Sequence, residues 1–313
     1  MRILFMGTPD FAVFSLRALV EAGENVIGVI TQPDKPKGRG YEMMPPPVKV
    51  YATEQSLPVY QPTTLKGDEF AALLSELEPE LIVVVAFGKI LPKNVLDYPK
   101  YGCINVHGSL LPAYRGAAPM QRAIIDGCKT TGITTMYMAE GLDTGDMLLK
   151  RKVEIGENDN FEDIHDRLGA AGAKTLIDTI EALRLGTLRP EKQDDALSTY
   201  AAKIEKADCQ LDFSHCARAL HDRIRGLSPI PLAFTHTPDG KLLKILAARV
   251  SDHPCPETAA PGTVLALDGG EITVACGNTT TLAITRVLPE GKGRMDAADF
   301  IRGRKIAAGN VLK

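Results

Sequence analysis

No two of the six cysteines (Cys103, Cys128, Cys209, Cys216, Cys255 and Cys276) form a Cys-x-x-Cys pair, and no histidine cluster stands near them. That spacing argues against a zinc site and against a disulfide framework, so a reducing cytoplasm is the expected compartment. No window offers about 18 uncharged apolar residues, the length that a membrane-spanning helix needs, and no membrane partner is expected. A basic excess is also missing. The net charge is −3 over 313 residues, so any nucleic-acid partner has to be met by local patches rather than by bulk charge. There is no tryptophan, no internal repeat and no low-complexity tract. The opening MRILFMGTPD turns acidic too soon for a signal peptide and reads as a first buried strand.

What is present is an ordinary globular composition, 44% hydrophobic and 24% charged, at a length comfortable for two domains. Short β-branched runs at 2–7, 25–31, 57–61, 81–87, 102–107, 132–138 and 146–155 predict strands. Helical spacing of apolar residues at 10–22, 67–77 and 117–126 separates them. Near-continuous apolar strands alternating with helices predict an α/β fold: a doubly wound, mostly parallel sheet covered on both faces. The last two strands follow one another across a short loop and are expected to form an antiparallel edge. Residues 160–185 read as one long amphipathic helix opened by Asn160.

Residues 187–208 are polar and aperiodic and read as a linker between a first domain, 1–186, and a second, 209–313. The second domain opens with a helix at about 213–225. Short strands punctuated by Pro238-Asp239-Gly240 and Asp268-Gly269-Gly270 then predict a small β-barrel.

Two familiar site motifs are absent. The first βα turn, MGTPDFA, has only Gly7 where a dinucleotide fingerprint needs Gly-x-Gly-x-x-Gly. It reads as a tight turn and a helix start, which weakens a nicotinamide-dependent oxidoreductase. There is no Gly-x-Ser-x-Gly elbow either. Instead the strand 102–107 ends in Asn105 and His107, two apart and therefore on one face. They stand at a C-terminal strand end, where parallel sheets place ligands. A second loop, AEGLDTGD, frames Asp143 between Gly141 and Gly145 after another strand and converges on the same crevice. Taken singly, His107 is an ordinary core histidine and Asp143 an ordinary turn residue. Taken together, an imidazole, a carboxylate and an amide donor suit direct acyl transfer to an amine. Cys103 is assigned to packing.

These residues also carry a resemblance. FMGTPDFA (5–12), DKPKGRG (34–40), the stretch from Asn105 to Pro119, GLDTGD (141–146) and PEGKGRMDAADFIRG (289–303) resemble the 10-formyltetrahydrofolate-dependent formyltransferases along the whole chain. The FMGTP opening and the basic loop narrow the resemblance to the family acting on methionyl-tRNA. It implies a Rossmann-like catalytic domain followed by an OB-like, tRNA-binding barrel. It also implies transfer of a formyl group from 10-formyltetrahydrofolate to the α-amino group of methionyl initiator tRNA, without metal and by a monomer.

By the same resemblance Asn105, His107 and Asp143 are catalytic and Ser109, Leu110, Leu111 and Pro112 bind the folate. Phe87, Gly88, Lys89, Ile90 and Leu91 then line its pterin pocket. Other 10-formyltetrahydrofolate enzymes, acting on a small amine or an amino sugar or hydrolysing the donor, are the nearest alternatives; a non-catalytic RNA-binding protein is a further one. One departure stands out: many relatives carry Pro-Trp-Pro-Gly where this chain has Pro229-Ile230-Pro231-Leu232, and if that aromatic packs the domain or touches RNA, Ile230 keeps only the packing role.

Two basic segments support a polyanionic partner. Residues 34–49 form a Gly/Pro-rich insertion carrying Lys35, Lys37, Arg39 and Lys49. Residues 286–313 hold seven Lys/Arg against three acidic residues, densest at Arg302, Arg304 and Lys305. Lys35, Lys37, Arg39, Arg302, Arg304 and Lys305 are the candidate tRNA contacts.

Overall fold

The computed structural model describes residues 1–37, 42–303 and 305–313, with Lys37 described by its backbone alone. The chain forms two compact units that do not follow chain order. Met1–Gly116, Thr130–Glu154 and His165–Ala201 make the first, and Ala117–Lys129, Ile155–Ile164 and Ala202–Lys313 the second. The stretch 187–208, read as a linker, is divided between them after Ala201.

Seven strands make the sheet of the first unit, in the order Met147–Glu154, Thr130–Tyr137, Cys103–His107, Leu81–Val85, Ile3–Gly7, Val26–Ile30 and Val59–Tyr60. The last five pair in parallel. Thr130–Tyr137 runs antiparallel to both of its neighbours, which gives the expected antiparallel edge. Every residue of Ile3–Gly7 and Leu81–Val85 is buried, as apolar runs covered on both faces require.

One covering helix is Asp68–Leu77. Asp68 and Glu69 occupy its first turn, where carboxylates suit the partial positive charge of a helix start. Phe70, Leu74 and Leu77 recur at helical spacing and pack with Leu4, Met6, Ile82 and Val84. Each such side chain contributes roughly 1.5–3 kcal/mol by leaving water.

The long helix Phe161–Arg184 opens at Asn160. Asn160 Oδ1 accepts from the N–H groups of Glu162 (2.7 Å) and Asp163 (3.2 Å), and the Asn160 N–H donates to Asp163 Oδ2 (2.9 Å). This reciprocal cap satisfies donors that a helix start leaves free. Further along, Gly172 lets the helix approach the sheet, because a Cβ there would stand 3.1 Å from Val106 Cγ1. Val106 thus faces the helix, and strand alternation turns Asn105 and His107 to the other face.

Near its start this helix meets the helix Asp10–Glu21 through an ion pair. His165 Nε2 lies 3.5 Å from Asp10 Oδ1, and His165 Nδ1 lies 2.9 Å from Asp166 Oδ1. Hydrogen bonding to Asp10 holds the His165 pKa above its usual 6.5; partial burial opposes this and Asp166 adds to it. A raised folded-state pKa makes the pairing fully stabilising below about pH 6.5, with the contribution lost as pH rises through the folded value. Asp10→Asn should therefore lower the His165 titration midpoint read by NMR. It should also destabilise the protein more at about pH 6 than at about pH 8.5. An unchanged midpoint would remove this pair from the account.

The second unit is built on antiparallel strands in the order Ala233–His236, Leu242–Ser251, Thr280–Pro289, Ile272–Cys276 and Val264–Ala266. Met295–Asp296 adds alongside Thr280–Pro289. The two glycine turns fall where the sequence predicts hairpins, with φ of +80° at Gly240 and +79° at Gly270. The helix Ala217–Leu227 places Leu220, Ile224 and Leu227 in one core with Leu243, Val274 and Ile284. Ile230, at the position of the tryptophan in Pro-Trp-Pro-Gly, is 66% exposed.

Candidate active site

Ile3–Gly7 and Leu81–Val85 are adjacent in the sheet, and successive strands leave them in opposite directions. Their C-terminal ends therefore flank a crevice of the kind that holds ligands in open α/β sheets. The loops are tied together there. Thr8 Oγ1 and Gln32 Nε2 donate to the Phe87 carbonyl at 3.3 and 2.9 Å, and the Gln32 N–H donates to Thr8 Oγ1 at 3.3 Å. Gly7 makes the close turn before the first helix, since a Cβ would stand 2.8 Å from Ala12 Cβ.

The strand Cys103–His107 lies next to Leu81–Val85 and ends at the same level of the sheet. His107 is buried, and its Nε2 stands 2.9 Å from the Tyr114 carbonyl. A carbonyl only accepts, so this contact fixes the proton on Nε2 and leaves Nδ1 as the free ring position. Nδ1 faces Asp143 Oδ2 at 3.7 Å, an electrostatic contact longer than a hydrogen bond. Asp143 Oδ2 in turn accepts from the Gly116 N–H at 2.8 Å. Asp143 itself adopts φ +51°, a left-handed conformation that non-glycine residues enter at a cost. Asn105 shares the His107 face, and among the described residues none is hydrogen-bonded to its side-chain amide. The three side chains that the sequence singled out thus leave an amide donor, a ring nitrogen and a carboxylate oxygen uncommitted.

Cys103, on the same strand face, is spent on packing. Its Sγ points at the carbonyls of Val95 and Leu96 (3.6 and 3.8 Å), and burial pushes its thiol pKa up to about 12. A thiol so hard to ionise is no nucleophile.

The short segment Tyr114–Gly116 holds both reactive side chains, and sequence reading did not single out its backbone. The stretch 191–201 lies against it: the Thr199 hydroxyl accepts from the Tyr114 N–H at 2.8 Å, and the Thr199 carbonyl accepts from the Arg115 N–H at 2.9 Å. Tyr200–Ala201 pairs with Arg115–Gly116 as a two-stranded parallel ribbon. No periodicity or motif marks 191–201, so nothing in the sequence points to this contact.

The remaining candidates divide by burial. Ser109 is fully buried, its hydroxyl donates to the Ala113 carbonyl at 2.6 Å, and its own carbonyl accepts from Thr134 Oγ1 at 2.8 Å. Leu111 is buried, while Leu110 and Pro112 are half-buried. This loop is shaped by internal bonds: its serine hydroxyl, the Ser109 and Leu110 carbonyls and the Leu111 N–H are all used within the protein. Phe87 and Leu91 are buried, Gly88 has φ +76°, Ile90 is 85% exposed, and Lys89 donates to the carbonyls of Pro62 (3.1 Å) and Thr63 (2.9 Å).

Of the basic candidates, Lys35 is exposed on the small ribbon Lys35–Lys37/Glu42–Met44 and donates to Gln32 Oε1 at 2.7 Å. Arg39 and Arg304 lie outside the described residues, as does the Lys37 side chain. In the second unit, Lys305 is exposed, and Arg302 is exposed beside Asp299, with which it pairs. Lys49 departs from the loop reading. It sits in the helix Pro47–Glu54 and is tied to Asp34 (2.8 Å) and Gln61 (2.8 Å).

Comparison with known proteins agrees with this architecture. Residues 1–180 match the formyl transferase family and residues 203–305 its C-terminal domain. A methionyl-tRNA formyltransferase of Citrifermentans bemidjiense is 49% identical over 312 residues, covering 100% of this chain and 96% of that protein. One of Bacillus subtilis is 50% identical over 311 residues, covering 99% and 97%. The solved structure of HypX from Aquifex aeolicus in complex with tetrahydrofolic acid shares the fold, with TM-score 0.63 at 18% identity, covering 96% of this chain and 47% of that one. With half of each aligned pair identical from end to end, the chain belongs to the formyl transferase family, together with the methionyl-tRNA formyltransferases.

Proposed function

We propose that this chain transfers a formyl group from 10-formyltetrahydrofolate to the α-amino group of methionyl initiator tRNA, in the cytoplasm. The observation that carries the chemistry is Asp143 facing His107 at 3.7 Å, with Asn105 on the His107 face of the same strand and one polar atom of each uncommitted. The choice of acceptor rests on the end-to-end likeness to methionyl-tRNA formyltransferases. The folate donor supplies an activated formyl group. The neutral amine attacks the formyl carbon while the Asn105 amide and the Nδ1–H of a doubly protonated His107 meet the negative charge developing on the formyl oxygen. Asp143 Oδ1, which has no hydrogen-bond partner among the described residues, accepts the proton that the amine must lose. The tetrahedral adduct then collapses with cleavage of the formyl carbon–N10 bond, and that proton passes to N10 of the departing tetrahydrofolate. Asp143 Oδ2, held by the Gly116 N–H, faces His107 Nδ1 at 3.7 Å. The Ser109–Pro112 loop and the 87–91 loop hold the folate. Lys35, Lys37, Arg39, Arg302, Arg304 and Lys305 meet the phosphates of the tRNA.

The deciding assay measures formylation of methionyl initiator tRNA with 10-formyltetrahydrofolate beside glycinamide ribonucleotide and a no-acceptor control. Transfer to the tRNA alone is the expected result. Transfer to the small amine only, or formate released without an acceptor, would keep the folate site and overturn the tRNA assignment.

A further inference from the structure

Gln193 lies 50 residues beyond Asp143, in a polar stretch without periodicity, yet its side chain is buried and all its hydrogen-bonding capacity points at the candidate site. Its Nε2 donates to the Asp143 carbonyl at 2.7 Å and to the Gly145 carbonyl at 2.8 Å. Its Oε1 accepts from Arg115 Nε at 2.9 Å. Both of its N–H groups and its oxygen are therefore used, which a buried primary amide requires. Arg115 stands between the two backbone groups that hold the reactive side chains: the Tyr114 carbonyl on His107 and the Gly116 N–H on Asp143. Arg115 is further tied to Asp195 through Nη2 at 2.8 Å. One amide thus joins the loop that presents Asp143 to the segment that orients His107.

The need for such a clamp is visible in the loop. Asp143 holds a left-handed φ of +51°, a state that persists only when its surroundings over-determine it. Gly145 is pressed against the Tyr137 carbonyl, which packs that end of the loop closely. The two bonds from Gln193 hold the Gly145 carbonyl at that end and the carbonyl of Asp143 itself.

We infer that Gln193 is a positioning residue for formyl transfer, acting through Asp143 by fixing its carboxylate relative to His107, without touching either substrate. This rests on the proposed role of Asp143 in the transfer.

The test is a double-mutant cycle on the full chain with kcat and donor KM as readouts. Gln193→Met keeps the volume and removes both donated bonds. It should lower kcat roughly tenfold or more, since small displacements of a reacting group are costly, while donor KM stays within about twofold. In an Asp143→Asn background the same change should cost less than about twofold, because the group it positions is already disabled. Two losses that multiply, or Gln193→Met alone within about twofold of the parent kcat, would overturn the inference while leaving Asp143 in place. Near-normal kcat in Asp143→Asn alone would overturn the role of Asp143, and this inference with it. Should Gln193→Met fail to fold, Gln193→Glu enters the same cycle, because it keeps the acceptor for Arg115 and loses the donors to both carbonyls. The same outcomes then decide.

Discussion

Replacing His107 with alanine, or Asp143 with asparagine, should lower kcat for formyl transfer by roughly 100-fold or more. The expectation follows from how few groups at the crevice are free to act. His107 Nε2 is committed to the Tyr114 carbonyl at 2.9 Å, so the ring cannot rotate to offer its other nitrogen without breaking that bond. Its Nδ1, as the N–H of the doubly protonated ring, is the single ring position left for the developing negative charge, and Asp143 Oδ2 faces it at 3.7 Å. Asp143→Asn removes the carboxylate that faces His107, and with it the proton acceptor, while keeping the side-chain volume. Single-turnover formylation of methionyl-tRNA reads the chemical step, and donor binding is measured separately. Because neither side chain is assigned to holding the folate, donor affinity should stay within about threefold of the parent while kcat falls. Turnover near the parent level in either variant would take that residue out of the mechanism.

Gly116→Ala should damage activity and stability together. Gly116 has φ +116°, a conformation closed to L side chains at reasonable cost, and an added Cβ would stand 2.7 Å from the Tyr200 ring and 2.8 Å from the Ala201 carbonyl. The Tyr200 ring is exposed and can swing away. The Ala201 carbonyl belongs to a residue paired with Gly116 itself, so the segment must shift. That shift draws the Gly116 N–H from Asp143 Oδ2, now 2.8 Å away. A stability loss of about 2–3 kcal/mol is expected, with kcat down roughly tenfold or more. Gly186→Ala is the control: φ is +68° there and nothing lies within 4 Å of an added Cβ. It should cost stability alone. Equal kcat in the two variants would mean that the Gly116 bond does not orient Asp143.

The sheet was readable because its strands bury both faces. The run 81–87 is apolar throughout and becomes Leu81–Val85, and 102–107 becomes Cys103–His107, since no other element hides such a run from water. Asn160 was readable as a cap because a helix start must find acceptors for its free N–H groups locally. By contrast, the ribbon Lys35–Lys37/Glu42–Met44 and the helix Pro47–Glu54 form within a segment rich in glycine and proline that reads as loop. They are short, and their order comes from partners such as Asp34 and Gln61 holding Lys49. The candidate site divides in the same way. Asn105 and His107 share a face by strand alternation, which is local geometry. Their meeting with Asp143 needed the edge strands to bring two loops to one crevice, a matter of topology that family likeness supported and periodicity alone did not.

The sequence by itself determined the elements whose formation is a local or near-local affair: apolar strands, capped helices, glycine turns, and the motif stretches from Asn105 to Pro119 and 141–146 that carry the likeness to formyl transferases. Only the tertiary structure decided which atoms are left free to react. The Tyr114 carbonyl on His107, the Gly116 N–H on Asp143, and Gln193 spanning both join groups separated by 7, 27 and 50 residues. They are bonds to backbone groups, which every residue carries alike, so no residue type announces them. They form because a buried carbonyl or N–H must find a partner, and the partner is whichever side chain or backbone group the finished fold brings within about 3 Å.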